Sequence, residues 1–282
     1  KDVTIKFIND VKSEMRGTSV DLVPDLEYQR SLINAKNVGK LTISNEDNYK
    51  FENHYWGGRF LGVTAPNAIV EVNGGIYGSY AVGTFYFNEC DATLTDVTVN
   101  DSTYACVYND NATVTVDRGN YTTKRSSAIT NQKGGTLNLN GVTATSGLTA
   151  VENNGGYVTI NGGTYTSTGS AKEPWSYPAV KNQDTYGFGT TMTILDGEFV
   201  AEGKDAAAIM NSTGSSNEDH GWLEIKGGTF TASKDGGRGV NAVNGMISIE
   251  NATIKGCQDG IRCGDQEWAG SNTVQVVMKD VL

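Results

Sequence analysis

One pattern recurs along the chain from residue 67 onward: two apolar positions with one polar residue between them, then a bend at Gly, Asn or Asp, then a third apolar position. The stretches GGYVTINGGTYTS (155–167) and GWLEIKGGTFTAS (221–233) show it most clearly. Apolar residues that alternate with polar ones predict a β-strand with one buried face. A pattern that returns every few tens of residues predicts structural repeats that pack on one another.

Alignment of the copies gives three columns of inward-facing residues. The second column lies two residues before the first, and the third lies five residues after it, beyond the bend, where Tyr and Phe are frequent. The copies therefore predict two short strands each, the second with an inward stack of aromatic rings. The columns are Val72, Leu94, Val116, Leu139, Ile160, Ile194, Ile225, Ile249 and Val276; Val70, Ala92, Val114, Leu137, Val158, Met192, Leu223, Ile247 and Val274; and Tyr77, Val99, Tyr121, Ala144, Tyr165, Phe199, Phe230 and Ile254.

A third strand per copy is indicated by the motifs AITN (128–131), AVEN (150–153), AVKN (179–182) and AIMN (208–211), which GVNA (239–242) and GIRC (260–263) continue. Stacked Asn side chains at one place in successive repeats are typical of hydrogen bonding between repeats. We therefore interpret Asn131, Asn153, Asn182 and Asn211 as structural residues. Glycine pairs at 74–75, 162–163 and 227–228 predict tight bends with positive φ.

With these motifs, residues 40–282 resemble the right-handed parallel β-helix, or pectin-lyase-like, superfamily, and in particular the T-[IL]-x-G-G-T-[FY] repeats of bacterial surface proteins and phage tail proteins. The resemblance implies an all-β fold: a single-stranded right-handed parallel β-helix, or solenoid, with three short strands per turn and about nine turns. It does not by itself indicate an activity, because one fold carries many functions.

The two ends differ from the repeats. We expect residues 1–66 to cap the first coil, with a strand at 2–8, a short helix at 25–35 and a strand at 40–45 that leads into residues 67–282, one continuous domain of repeats. The C-terminal strand has no comparable cap, and the chain begins at Lys1. We therefore expect this sequence to be part of a longer chain or a subunit of a fibre, for which a homotrimer is one arrangement.

Charge and composition exclude several classes of protein. The net charge is −10 without a basic cluster, which argues against nucleic acid as a partner. No apolar run is long enough for a membrane span. With only two histidines, and with cysteine spacings that match no zinc pattern, we expect no metal cofactor, although NDN (109–111) and DGIRCGD (259–265) offer oxygen ligands for Ca²⁺. Cys106 and Cys263 are interpreted as small buried thiols, and a disulfide between Cys257 and Cys263 stays open.

Function is sought where the copies differ. The spacing of the first column rises from 21 residues (139 to 160) to 34 (160 to 194) and 31 (194 to 225), through insertions at 168–178, 183–189 and 212–221. Loops at the same place in adjacent repeats lie side by side, so the last two should form a wall beside the outer face of the first strand, and thus a groove. The predicted ligand-binding residues are Tyr157 and Trp222 on that face, Tyr186 in the second insertion, and Glu173, Trp175 and Tyr177 in the first insertion, which lies between the second and third strands.

Exposed aromatic rings beside hydroxyl and amide groups suit sugars, although Tyr157 and Trp222 would equally suit packing beneath the long loops. We expect a non-catalytic extracellular module of the adhesin or phage tail receptor-binding type, at a cell surface or on a virion, whose partner is a glycan or another cell-surface receptor. The first alternative is a polysaccharide lyase or glycoside hydrolase in which Asp184, Asp219, His220 and Glu224 supply an acid and a base. The resemblance implies acidic clusters for such enzymes, but this face is mostly Thr and Asn, so no catalytic residue is carried over. The second alternative is the structural spacer of a fibre.

Overall fold

The computed structural model describes residues 1–13, 31–53, 58–79, 83–169, 177–185, 187–213, 221–264 and 274–282. Within these ranges the regular structure is all β and contains no helix. The strands are β1 (Asp2–Lys6), β2 (Val11–Ser13), β3 (Ser31–Ala35), β4 (Lys40–Asn53), β5 (Arg59–Thr64), β6 (Ile69–Ser79), β7 (Phe85–Asn88), β8 (Asp91–Thr95), β9 (Thr98–Ser102), β10 (Val107–Asp110), β11 (Thr113–Asp117), β12 (Asn120–Thr123), β13 (Ile129–Ser146), β14 (Val151–Ser167), β15 (Val180–Asp184), β16 (Thr190–Ala201), β17 (Ala207–Thr213), β18 (Trp222–Ile225), β19 (Thr229–Ala232), β20 (Arg238–Ala242), β21 (Gly245–Glu250), β22 (Thr253–Lys255), β23 (Asp259–Cys263) and β24 (Val274–Lys279).

All strand pairings are parallel, and they form three ladders in which each strand pairs with the equivalent strand of the next repeat. The first ladder consists of β1, the starts of β4 and β6, β8, β11, the middles of β13 and β14, the start of β16, β18, β21 and β24. The second ladder consists of β2, the ends of β4 and β6, β9, β12, the ends of β13, β14 and β16, β19 and β22. The third ladder consists of β3, β5, β7, β10, the starts of β13 and β14, β15, β17, β20 and β23.

The predicted columns are confirmed over most of their length. In the first ladder each residue from Val72 to Ile249 is the Cα partner of the next member of its column, and the side chains are buried. The second ladder carries the predicted aromatic stack. The ring centroids of Tyr165 and Phe199 are 5.3 Å apart and those of Phe199 and Phe230 are 4.9 Å apart, with nearly parallel planes. These inward columns form one continuous apolar core.

The alignment was wrong by two residues at the C-terminal end. Val276 is the partner of Ile247, and Met278, which the alignment left out, is the partner of Ile249. A shift by two residues keeps the same side chains on the same face, so the alternation of apolar residues fits both registers. Because residues 277 and 278 are both apolar, the sequence at this point does not show which face of the strand is buried and which is exposed.

The described part of the N-terminal segment continues the ladders. Val3 is the partner of Leu41, and Ile5 is the partner of Ile43, so β1 and β4 add two members to the nine aligned from the sequence. The predicted helix at 25–35 is wrong for its second part, since Ser31–Ala35 is strand β3 and pairs with β5. Residues 25–30 lie outside the described residues. Pairing with a neighbouring repeat outweighs the local preference of this short stretch.

Bends with positive φ join the first and second strands. Five of the six residues in the predicted glycine pairs have positive φ; Gly227 is not among them. At Gly163 (φ 105°) a Cβ would overlap the carbonyl oxygen of Val142 in the preceding repeat. The bend therefore requires glycine for both its conformation and its close packing. Across the described ranges there is no helix with the length and apolar character needed to cross a membrane.

Candidate functional site

The outer face of the first ladder carries two large exposed aromatic side chains. Tyr157 is 59% exposed and Trp222 is 42% exposed. Both are Cα partners of Thr191, so they lie in one column, one repeat on either side of that threonine. Two strand spacings separate them, which is about 10 Å. The prediction that these two residues lie in one outward column, two repeats apart, is confirmed.

Polar side chains lie beside the two rings. Thr159, Thr193 and Glu224 occupy successive strands in the next outward column. The column continues towards the N-terminus through Asn138 and Thr115. Since outward residues of a strand alternate with the buried ones, the same pattern that builds the core fixes these hydroxyl, amide and carboxylate groups on one surface.

A third exposed aromatic residue, Phe188, borders this face and was missed in the sequence analysis. Its side chain is 55% exposed, and the Cβ of a residue at 155 would lie 3.3 Å from the Cβ of Phe188. Phe188 therefore packs over Gly155, and its ring lies near Gly134 in the repeat before that. The available signal was the stretch GFG in the second insertion, where small neighbours leave an aromatic side chain uncovered.

Asp184 shapes the loop that presents Phe188. Its Oδ1 accepts hydrogen bonds from the N–H groups of Gly187 (2.7 Å) and Phe188 (3.2 Å), and its Oδ2 accepts one from Gly189 (2.7 Å). The side chain is 4% exposed. Both carboxylate oxygens thus hold the turn between the third and first strands, which is a structural role for this residue.

The remaining predicted acid–base residues are distributed differently. Glu224 lies on the outer face of the first ladder, where its Oε2 is 3.1 Å from Nζ of Lys226. Asp219 and His220 lie outside the described residues. The convergence of these groups with Asp184 stays a prediction, as do their catalytic roles.

The remaining predicted ligand residues fall into two groups. Tyr177 lies just before β15, at the opposite end of that strand from Phe188, and its carbonyl oxygen accepts a hydrogen bond from Ser167 Oγ (3.0 Å). The structure therefore places Tyr177 apart from Tyr157 and Trp222. Glu173, Trp175 and Tyr186 lie outside the described residues.

The buried asparagines form a ladder that begins one repeat earlier than expected. Nδ2 of Asn109 donates to Oδ1 of Asn131 (2.7 Å), and the same bond links Asn131 to Asn153 (2.8 Å), Asn153 to Asn182 (2.9 Å) and Asn182 to Asn211 (2.7 Å). All five side chains are fully buried. Their structural interpretation is confirmed, and Asn109 is not free to ligate Ca²⁺.

Asp110, the second oxygen ligand offered by NDN, belongs to a buried cluster on the outer side of the third ladder. It accepts hydrogen bonds from the Tyr86 hydroxyl (2.9 Å) and from Gln132 Nε2 (2.9 Å), and Lys133 Nζ lies 3.1 Å away. The Arg59 guanidinium lies 4.2 Å above the Tyr86 ring, and burial lowers the pKa of Arg59 to about 10. No group of three or more potential metal-ligating side chains occurs in the portions of the chain that the structure describes.

The four cysteines are free thiols, so the structure contains no bridge between Cys257 and Cys263. Cys106 is buried, as predicted, and burial raises the pKa of its thiol. Cys263 occupies the asparagine column beside Ala242 but is exposed, so its predicted burial is wrong. It belongs to β23, and no later strand pairs with β23 within the described residues.

Comparisons with protein-family models, with curated proteins and with solved structures found no match to this chain.

Proposed function

We propose that the three ladders are the sides of a right-handed parallel β-helix and that the protein is a non-catalytic extracellular module that binds carbohydrate. The binding surface is the aromatic face, defined here as Tyr157, Phe188 and Trp222 with the Thr, Asn and Glu residues around them. The setting we propose is a cell surface or a virion, as in an adhesin or a phage tail receptor-binding protein.

The observation that carries this proposal is the spacing and exposure of Tyr157 and Trp222 on a regular strand surface. Exposed apolar side chains that are grouped and bordered by polar residues frequently mark binding surfaces. Sugar rings present apolar C–H faces that pack on aromatic rings, and a rim of hydroxyls that pair with hydroxyl, amide and carboxylate groups. The two rings project from strands about 10 Å apart, a spacing that lets successive sugar units contact both.

The contacts of the acidic residues favour binding over catalysis. A general acid or base needs a carboxyl group that is within reach of the substrate and not engaged elsewhere. The carboxylate of Asp184 is buried against three backbone N–H groups, and that of Glu224 is paired with Lys226. A polysaccharide lyase or glycoside hydrolase is therefore the first alternative to this proposal. A structural spacer of a fibre is the second.

Affinity electrophoresis through gels that contain soluble polysaccharides tests the proposal, with parallel assays for new reducing ends and unsaturated ends. We expect retention without cleavage. Cleavage would replace the proposal by the enzyme alternative, and no retention by any polysaccharide would favour the spacer.

The first testable prediction concerns Trp222. Replacing Trp222 by Ala should weaken retention about tenfold, because a central aromatic contact is worth more than 1 kcal/mol in a typical interface. The thermal midpoint should change little, since the side chain points out of the core. The matched control is Val277→Ala, which removes an equally outward, 57% exposed side chain from the far end of the same ladder. Equal retention of both variants would show that Trp222 does not contribute to polysaccharide binding.

A further inference from the structure

A stacked corner lies between the third and first ladders, on the N-terminal side of the aromatic face. Asn67, Glu89, Asn111 and Lys133 occupy the same place in four successive repeats, and each has a positive φ between 53° and 64°. The N–H of Asn67 donates to the carbonyl oxygen of Glu89 (3.0 Å), and that of Glu89 donates to Asn111 (3.3 Å). The side chains of residues 67, 89 and 111 are exposed along this edge.

A groove of about 330 Å³ runs beside this corner. Its walls are Asn67, Glu89 and Asn111 on the corner and Asp91, Thr113 and Thr136 on the outer face of the first ladder. The lining is thus rich in hydrogen-bonding groups, and it is open to solvent along its length. We call it the corner groove.

The corner groove leads directly into the aromatic face. Thr136, at one end of the groove, is the Cα partner of Tyr157. Gly134, which also lines the groove, lies beneath the ring of Phe188. Asp91, Thr113, Thr136 and Tyr157 are consecutive members of one column, so three strand spacings, about 14 Å, cover the distance from Asp91 to the first aromatic ring.

The residues that line the groove carry negative charge and no positive charge. Glu89 and Asp91 are exposed in it, and neither takes part in an ion pair within the described residues. The nine residues that line the groove include no Lys or Arg. The nearest lysine along the corner, Lys133, has its Nζ 3.1 Å from Asp110.

We propose that the corner groove binds further sugar units of the same glycan and that this glycan is uncharged. This inference rests on the proposed function, since it extends the aromatic face by a second group of subsites. The carboxylates of Glu89 and Asp91 accept charge-assisted hydrogen bonds from sugar hydroxyls. They repel uronate or sulfate groups, and the groove supplies no cation to offset that repulsion.

The test compares neutral and acidic polysaccharides in affinity electrophoresis: hydroxyethyl cellulose, galactomannan and dextran against carboxymethyl cellulose, polygalacturonate and alginate. We expect retention by at least one neutral polymer, and retention by every acidic polymer at least about fivefold weaker. Retention by a neutral polymer should not change with ionic strength. Equal or stronger retention by an acidic polymer would overturn the inference, and no retention by any of the six would overturn the proposed function with it.

Two variants separate the groove from the aromatic face. The double variant Glu89→Gln with Asp91→Asn should reduce the difference in retention between neutral and acidic polymers. An unchanged difference in retention would contradict the role of these carboxylates. Thr113→Leu fills part of the groove with a side chain that offers sugars neither an aromatic ring nor a hydrogen bond, and it should weaken retention by the neutral polymer about tenfold. Its control, Thr229→Leu, places the same side chain on the outer face of the second ladder and should leave retention unchanged. If Thr113→Leu has no effect while Trp222→Ala does, the groove inference fails and the proposed function stands.

Discussion

Tyr121 is the one core tyrosine of the second ladder whose hydroxyl has no hydrogen-bond partner among the described residues. The hydroxyls of Tyr77 and Tyr165 each donate to the carbonyl oxygen of the glycine three residues earlier, at 3.1 Å. Three residues before Tyr121 the chain has Arg118 instead of glycine, although the φ values of the bend are similar in all three repeats. We therefore expect Tyr121→Phe to leave the free energy of unfolding unchanged or to raise it, because it removes a buried unpaired group.

Tyr165→Phe is the matched control and should lower the free energy of unfolding by about 1 kcal/mol, since it leaves the Gly162 carbonyl without this donor. Urea denaturation of the two variants measures the difference. If Tyr121→Phe lost as much free energy of unfolding as Tyr165→Phe or more, the Tyr121 hydroxyl would have a hydrogen-bond partner after all. The sequence predicted that all three tyrosines point inward, because that follows from alternation alone. Whether each hydroxyl reaches a carbonyl oxygen depends on the exact placement of the ring in the core, which the alternation does not contain.

At the scale of the element, the bend between the first and second strands of a repeat can be tested inside β14. Gly162 (φ 73°) has no atom within 4 Å of an added Cβ, whereas a Cβ at Gly163 (φ 105°) would overlap the Val142 backbone. Gly162→Ala should therefore cost about 1 kcal/mol, for the left-handed conformation alone. Gly163→Ala should cost about 3 kcal/mol or more, because the preceding repeat must also move. Urea denaturation checks the order, and equal losses would show that the repeats are not closely stacked here.

The elements also separate what the sequence could and could not predict about the candidate site. Tyr157 and Trp222 were found because outward positions of a repeated strand follow from the inward ones. Phe188 was missed because it lies in an insertion, where no repeat fixes the direction of a side chain. Asp184 was read as a possible acid from its residue type, but its role as the acceptor of three loop N–H groups depends on the loop conformation.

At the scale of the whole molecule, the repeats explain why the core was predictable and the ends were not. Between residues 67 and 255 each position in a column has an equivalent residue in the repeat before it and in the repeat after it, and both must fit the alignment. At β24 only one neighbour exists within the described residues, and a shift by two residues satisfied the same pattern. At β3 no copy of the motif was recognised, so local preference favoured a helix where the third ladder in fact continues.

The core also predicts how the whole molecule responds to alkali. Burial raises the pKa of Tyr77 to about 12, and it raises the pKa values of Tyr121 and Tyr165 as well. In the unfolded chain tyrosine ionises near pH 10, so above that pH the unfolded state loses protons that the folded state retains. The contribution of these protonated tyrosines to the free energy of unfolding is therefore complete below about pH 10. It is lost as the pH rises towards the folded pKa, by about 1.4 kcal/mol per pH unit for each tyrosine.

The urea midpoint should accordingly begin to fall near about pH 8.5, where the buried thiols of Cys90 and Cys106 would ionise in the unfolded chain, and fall more steeply above about pH 10. Burial also raises the pKa values of Tyr86, Cys90 and Cys106, so the wild-type curve alone does not isolate the tyrosines of the stack. Tyr77→Phe provides the control: it should be less stable at neutral pH, because it loses the hydrogen bond to Gly74, but its midpoint should fall less steeply above pH 10. Parallel curves for the two proteins would show that Tyr77 ionises equally in the folded and unfolded states, which contradicts its burial in the stack.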